Sequence, residues 1–127
     1  EPSQNTKVGG REPVSIHPDD AAARGISHGD VVRLFNDRGA CLAGAEVTER
    51  VRRGVLRLST GAWLDPMDAA DIGSLEKHGN PNVLTLDKGS SRLAQSCVAQ
   101  TTLVDVEPYK DRPPPITAFD NPDIAAN

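Results

Sequence analysis

Gly29-Asp30-Val31-Val32-Arg33-Leu34-Phe35-Asn36-Asp37-Arg38-Gly39, followed by Ala40-Cys41-Leu42-Ala43-Gly44-Ala45-Glu46-Val47, reads as a β-hairpin. The run from Val31 to Asn36 is rich in β-branched and aromatic residues, which suit a pleated, half-buried surface. Asp37-Arg38-Gly39 fits a three-residue loop whose glycine is free to take a positive φ, and the chain returns along Ala40 to Val47. The tight turn Ser27-His28-Gly29-Asp30 delivers the chain into the first strand. A hairpin this well punctuated commits the chain to β structure.

Working outward, Val14-Ser15-Ile16 alternates like a strand, and His17-Pro18-Asp19-Asp20-Ala21-Ala22-Ala23-Arg24-Gly25 is a short helix. Proline stands near its start, acidic residues fill the first turn, arginine closes the last turn and glycine stops it. Downstream, Glu49 and Arg50-Val51-Arg52-Arg53 mark a solvated charged turn, and Val55-Leu56-Arg57-Leu58 is a further strand. Residues 65–79 carry Pro66, Asp68, Asp71, Gly73 and Gly79 and no strand pattern, so an irregular loop with at most one helical turn is expected. Val83-Leu84-Thr85-Leu86 and Thr101-Thr102-Leu103-Val104-Asp105-Val106-Glu107 are expected as the last two strands, with Leu103 on the face of Asp105 and Glu107. Between them Ser90 to Ser96 forms a polar turn or bridge. A loose correspondence of strand, turn and strand between residues 31–61 and 83–106 suits a barrel of two interlocked halves, which would also hide its sheet edges.

The 127 residues make one domain, and with 37% hydrophobic residues and only four aromatics (Trp 1, Tyr 1, Phe 2) the core must be aliphatic. Eleven glycines and ten prolines argue for many short elements. The expectation is mainly β, with short helices and long loops. Residues 1–11 read as an arm, 12–109 as the β domain and 110–127 as a tail, in which Pro113-Pro114-Pro115 is extended and Phe119 and Ile124 dock on a larger body. The net charge of −4 gives no reason to expect nucleic acid. No apolar run approaches the ~20 residues of a membrane span, and Glu1 to Lys7 has no apolar leader core. Cys41 and Cys97 lack metal or redox spacing and read as small core residues.

His17, His28 and His78 show no zinc spacing, and no GxGxxG, GxxxxGK[ST] or GxSxG is present. His17 and His28 suit capping and surface roles. Asp19 with Asp20, and Asp68 with Asp71, suit a helix start and a solvated loop rather than acid–base work. What remains lies in two polar loops: Ser59, Thr60, Gly61, Trp63 and Asp65 in one; His78, Asn80, Asn82, Thr85 and Asp87 in the other, with Ser91, Gln95 and Gln100 beyond. Amides read the edge of a purine or pterin, a carboxylate accepts from guanine, and hydroxyls and backbone N–H groups suit phosphate. Ordinary Asx turns and caps would use the same residue types.

Glu12-Pro13, the helix from Pro18 to Ile26, Gly29-Asp30-Val31-Val32-Arg33, Asn36-Asp37-Arg38-Gly39, Gly61-Ala62-Trp63, His78-Gly79-Asn80-Pro81-Asn82-Val83-Leu84-Thr85 and Ser91-Arg92-Leu93-Ala94-Gln95 together resemble the C-terminal cofactor-binding domain of the dimethyl sulfoxide reductase family, in its trimethylamine N-oxide, dimethyl sulfoxide and biotin sulfoxide reductase branch. The likeness runs from about Lys7 to Tyr109. It implies a double-psi β-barrel that binds bis(molybdopterin guanine dinucleotide) within a larger subunit. There molybdenum would take oxygen from an S-oxide or N-oxide, such as trimethylamine N-oxide or dimethyl sulfoxide, in anaerobic respiration.

 The family's cytochrome electron donor and a periplasmic location, with the cytoplasm as the alternative, follow from the same likeness.

By this resemblance Ser59, Thr60, Gly61, Ala62, Trp63 and Asp65, together with His78, Asn80, Asn82 and Thr85, would contact the dinucleotide and pterin, and Gln100 the pterin. The family's molybdenum ligand and substrate pocket lie on other domains, so neither a catalytic nor a metal-binding residue is expected here, and this chain alone should not reduce an oxide. Gln100 stands where many relatives have His, and Glu1 to Thr6 replace a polar segment that helps line the cofactor cleft. A fragment, an excised domain or a small subunit would fit. The rival readings are a non-catalytic double-psi barrel for protein interaction, which the amide-rich loops disfavour, and a self-processing decarboxylase barrel, which needs a Gly-Ser cleavage site where Gly73-Ser74 and Gly89-Ser90 read as ordinary turn dipeptides.

Overall fold

The computed structural model describes residues 2–98 and 102–121. Among these described residues five strands form one sheet: β1 (Pro13–Ile16), β2 (Val31–Phe35), β3 (Ala40–Val47), β4 (Leu56–Leu58) and β5 (Asp105–Pro108), in the spatial order β4-β1-β3-β2-β5. An α-helix, α1 (Pro18–Ala23), follows β1, and Pro2–Thr6 and Pro81–Leu84 are 3-10 helices. The mainly β expectation holds. β1 runs parallel to β3, while β1–β4, β2–β3 and β2–β5 are antiparallel. The β2–β3 hairpin is therefore set beside a strand that precedes it, and α1 makes the crossover. Among the described residues no helix is long and apolar enough to cross a membrane.

β3 pairs on both sides and is buried from Ala40 to Ala45, which is why its sequence is a run of small and apolar residues rather than an alternation. β2 alternates, with Val32 and Leu34 inward and Arg33 and Phe35 half-buried on the other face. On that outer face the Arg33 guanidinium lies 4.5 Å from the Phe35 ring centroid and pairs with Glu107 at 3.0 Å. The core gathers Val14, Ile16, Ala21, Ile26, Val32, Leu34, Cys41, Ala43, Ala45, Leu84 and Val106, with no aromatic ring. α1 contributes Ala21 to it and is set by His17, whose Nδ1 accepts from the Asp19 N–H at 3.2 Å, and by Gly25 at φ +67°. His28 has the surface role expected of it, its Nδ1 accepting from the Val47 N–H.

Several expectations are corrected. Residues 83–86 are not a strand: Pro81 fixes φ for a helical turn, the Asn80 carboxamide accepts from the Asn82 N–H, and the 3-10 helix drops Leu84 into the core. β5 is shorter than expected, starting at Asp105; Thr101 lies outside the described residues. Within it Val106 is buried and Asp105 and Glu107 are exposed, while Leu103 lies ahead of the strand and is exposed. Gly39 has no positive φ. Its hairpin loop is closed by the Asn36 side chain, which accepts from the N–H groups of Arg38 and Gly39. Glycine is needed there because a Cβ would stand 2.6 Å from the Val83 carbonyl oxygen. Cys41 is buried as expected, but Cys97 is exposed.

Residues 65–79 contain no helix, only the single hydrogen-bonded turns that the Asp71 and Ser74 N–H groups close on the Asp68 and Asp71 carbonyls. They fold back on themselves through an antiparallel bridge between Pro66 and Glu76, and Glu76 also bridges in parallel to Cys41 of β3. The segment read as an arm lies on the sheet from Lys7 onward: Val8 pairs with Arg11 and packs against Gly44, where no side chain would fit. In the tail, Phe119 packs on this domain itself, against Trp63 and His78; Ile124 lies outside the described residues.

Candidate functional site

The two polar loops meet. The Asn80 Nδ2 donates to the Ala62 carbonyl at 2.9 Å, and the His78 Nδ1 lies 3.0 Å from the Trp63 carbonyl. A carbonyl only accepts, so Nδ1 carries the hydrogen of this contact. Nε2 is buried and has no hydrogen-bond partner among the described residues. The Phe119 ring stands edge-on to the imidazole at 5.2 Å and tilted to Trp63 at 5.8 Å.

Glu76 organises this junction, and sequence reasoning missed it. Fully buried, it accepts from the backbone N–H groups of Asp65 and His78 on Oε1 and from those of Gly79 and Asn80 on Oε2, at 2.7–3.2 Å. Its own backbone is fixed on β3, donating to the Ala40 carbonyl and accepting from the Leu42 N–H. β1 covers that edge of β3 from Gly44 onward, so Glu76 takes the edge where β1 leaves it. The only sequence signal was an acid lying just ahead of the His-Gly-Asn turn, within reach of that turn's N–H groups. Gly79, at φ +97°, is required twice over, since a Cβ there would also stand 2.7 Å from the Glu12 Cβ.

Asp65 ties the same loop to the tail. Its Oδ1 accepts from the Thr117 hydroxyl at 2.6 Å and pairs with Lys77 at 3.1 Å, while Oδ2 accepts from the Thr117 N–H at 2.7 Å. Burial pushes the Asp65 carboxyl up, but the Thr117 hydroxyl and N–H, with Lys77, outweigh it and hold the group below its ordinary value. Arg11 reaches the tail too, donating to the Pro114 carbonyl at 2.6 Å; burial lowers its pKa against the opposing fields of Glu76, Tyr109 and Asp65. The hairpin tip completes the frame, with Asn36 and Arg38 both donating to the Leu84 carbonyl.

Of the residues expected to face a ligand, Ser59, Thr60, Gly61, Trp63 and Asn82 are exposed and Thr85 is half-buried, its hydroxyl donating to the Asn82 carbonyl. Ala62, Asp65, His78 and Asn80 are buried and join the loops from beneath. Gln100 lies outside the described residues. Gln95 and Ser91 bond to each other in a local exposed loop. Asp68 and Asp71 accept from the N–H groups of Ala70 and Gly73, which leaves them as turn-formers, and no cluster of metal-ligating side chains occurs among the described residues.

A family model described as "Molydopterin dinucleotide binding domain" matches residues 1–103. The chain belongs to this dinucleotide-binding family. It is 55% identical over 119 residues to the trimethylamine-N-oxide reductase of Salmonella typhi, covering 94% of this chain and 14% of that protein. To the dimethyl sulfoxide/trimethylamine N-oxide reductase of Cereibacter sphaeroides it is 51% identical over 115 residues, covering 91% of this chain and 14% of that one. To trimethylamine-N-oxide reductase 1 of Escherichia coli (strain K12) it is 57% identical over 106 residues, with 84% and 12% covered. The chain thus spans about a seventh of these relatives, 12–14% of each.

Proposed function

We propose that this domain holds a bis(molybdopterin guanine dinucleotide) cofactor within an S-oxide or N-oxide reductase of larger size. The observation that carries the reading is the His78 imidazole, buried with Nε2 unpartnered among the described residues, in a junction bordered by exposed polar groups. A buried polar nitrogen without a partner is costly, and the edge of a pterin or guanine carries both donors and acceptors that suit such a nitrogen. The residues fit the group: Ser59 and Thr60 suit phosphate oxygens, Asn82 suits a heterocycle edge, and Trp63 offers a ring face. Asp65 and Asn80 support these groups through the loop rather than by reaching out, because their side chains are already engaged. When bound, the molybdenum cofactor supplies the oxygen-atom and electron chemistry, with its metal ligand outside this chain.

The resemblance to the relatives supports an enzyme in which this domain orients the cofactor and the remaining domains supply the oxide pocket and the contact with an electron donor such as a cytochrome. Exposed Leu64, Met67 and Ile72 are suited to packing against such domains. Parallel pairing of β1 with β3, with β2 following β1 in sequence but lying on the far side of β3, supports the double-psi barrel as the fold. A periplasmic site of action belongs to the same proposal. The deciding measurement is the molybdenum and acid-released guanosine monophosphate of the native assembly, where about two nucleotides per molybdenum, the ratio of a bis-dinucleotide cofactor, is expected. Neither metal nor nucleotide in an intact assembly overturns the reading in favour of an interaction barrel. Asn82→Leu should weaken retention with little loss of fold, since Asn82 is exposed and each lost hydrogen bond is worth about 1 kcal/mol.

A further inference from the structure

We infer that Glu76 is the positioning residue of the site, a carboxylate that locks the Trp63 loop and the His78 loop into one rigid unit. The inference rests on the reading that these loops hold the dinucleotide, and it goes further by naming what fixes their spacing. The geometry is specific. Of the backbone N–H groups whose hydrogen bonds Glu76 accepts, one belongs to Asp65, 11 residues before it, and three to His78, Gly79 and Asn80, so a single side chain joins the two loops. Side chain–backbone bonds from Asn80 to Ala62 and from His78 to Trp63 then form across the gap it has closed.

Both oxygens are already shared between two donors each, so Glu76 has no capacity left for a ligand. It acts through the backbone and not by contact. Anchoring through Ala40 and Leu42 transmits the position of β3 to both loops at once. A neutral amide cannot reproduce this, because its NH2 group would face two N–H donors. A shorter carboxylate can still reach the N–H groups two to four residues ahead, as in an Asx turn, but it withdraws from Asp65.

The test uses the full-length reductase carrying Glu76→Gln or Glu76→Asp, followed by hydrogen–deuterium exchange on peptides and by release of the bound guanine nucleotide. For Glu76→Gln, exchange should rise about tenfold in residues 62–66 and 78–84 together, while residues 31–47 keep their protection, as expected when a local hydrogen-bonded unit opens. Nucleotide release should quicken by about tenfold, the scale of one lost hydrogen bond. In Glu76→Asp, residues 62–66 should exchange faster and residues 78–84 should stay protected. Unchanged exchange in both loops overturns the inference, as does a rise that extends equally through residues 31–47. If Glu76→Gln fails to accumulate as folded protein, Glu76→Asp decides. A native enzyme without guanine nucleotide would remove the cofactor reading, yet the exchange pattern would still decide whether Glu76 couples the loops.

Discussion

Between β1, β2 and β3 the interior is closed by Val14, Ile16, Val32, Leu34, Ala43 and Ala45, whereas the space beneath residues 62–80 is filled by Glu76, Asp65, Lys77 and His78, each no more than 7% exposed. Apolar burial is non-directional, so the sheet can absorb small changes of shape. The polar floor is directional, and each of its groups depends on a partner at the right place. A site built this way holds its geometry well and loses it abruptly. The core therefore sets the overall stability, while a few hydrogen bonds set the spacing of the loops.

The polar side is most strongly attacked by Glu76→Leu, which leaves four backbone N–H groups without their acceptor. At about 1–3 kcal/mol for each stranded group, the loss should reach at least about 4 kcal/mol, read from the denaturant midpoint. On the apolar side, Leu34→Ala should cost about 3 kcal/mol by the usual penalty for a core cavity. Its native-state exchange pattern in residues 62–80 should stay as in the parent. Where the two regions touch, Gly39→Ala should cost about 2 kcal/mol through the clash with the Val83 carbonyl and should loosen residues 81–84 first.

Thr117→Val should cost about 1 kcal/mol near neutral pH, because Asp65 loses its hydroxyl donor. Asp65 has a lowered pKa in the folded state, so its contribution is fully present above the ordinary value of 3.8 and is lost as pH falls through the lower folded value. The substitution should move that loss upward toward 3.8, visible in acid unfolding followed by exchange of the tail. Smallest in energy is a labelling experiment that separates the regions without perturbing them. Burial pushes the Cys41 thiol up to about 12, while Cys97 is exposed. A thiol reagent should therefore modify Cys97 promptly and Cys41 only when the sheet unfolds.

The hairpin, β1 and α1 were legible because their signals are local: alternation at Val32 and Leu34, the proline and acids at the start of α1, and glycine after it. Residues 83–86 misled because a short apolar run has no period of its own, and Pro81 with Asn80 decided for a helical turn. The candidate loops were legible as polar and small, and the structure brings His78 and Asn80 to Trp63 and Ala62. Glu76 was not legible, since its partners are backbone groups that no side-chain pattern reveals. Thr117 and Phe119 were hidden for another reason: their contacts lie far away in the chain, the Asp65–Thr117 bonds spanning 52 residues.

That span also imposes an order in time. Translation proceeds at about 5–20 residues per second, so the 52 residues between Asp65 and Thr117 take about 3–10 s to make. During that interval Asp65, Lys77 and His78 have left the peptidyl transferase centre before the segment that covers them exists. Every newly made copy thus passes through a stage in which its indole and imidazole await their phenyl ring, and the site is closed last by the part of the chain synthesised last among its components.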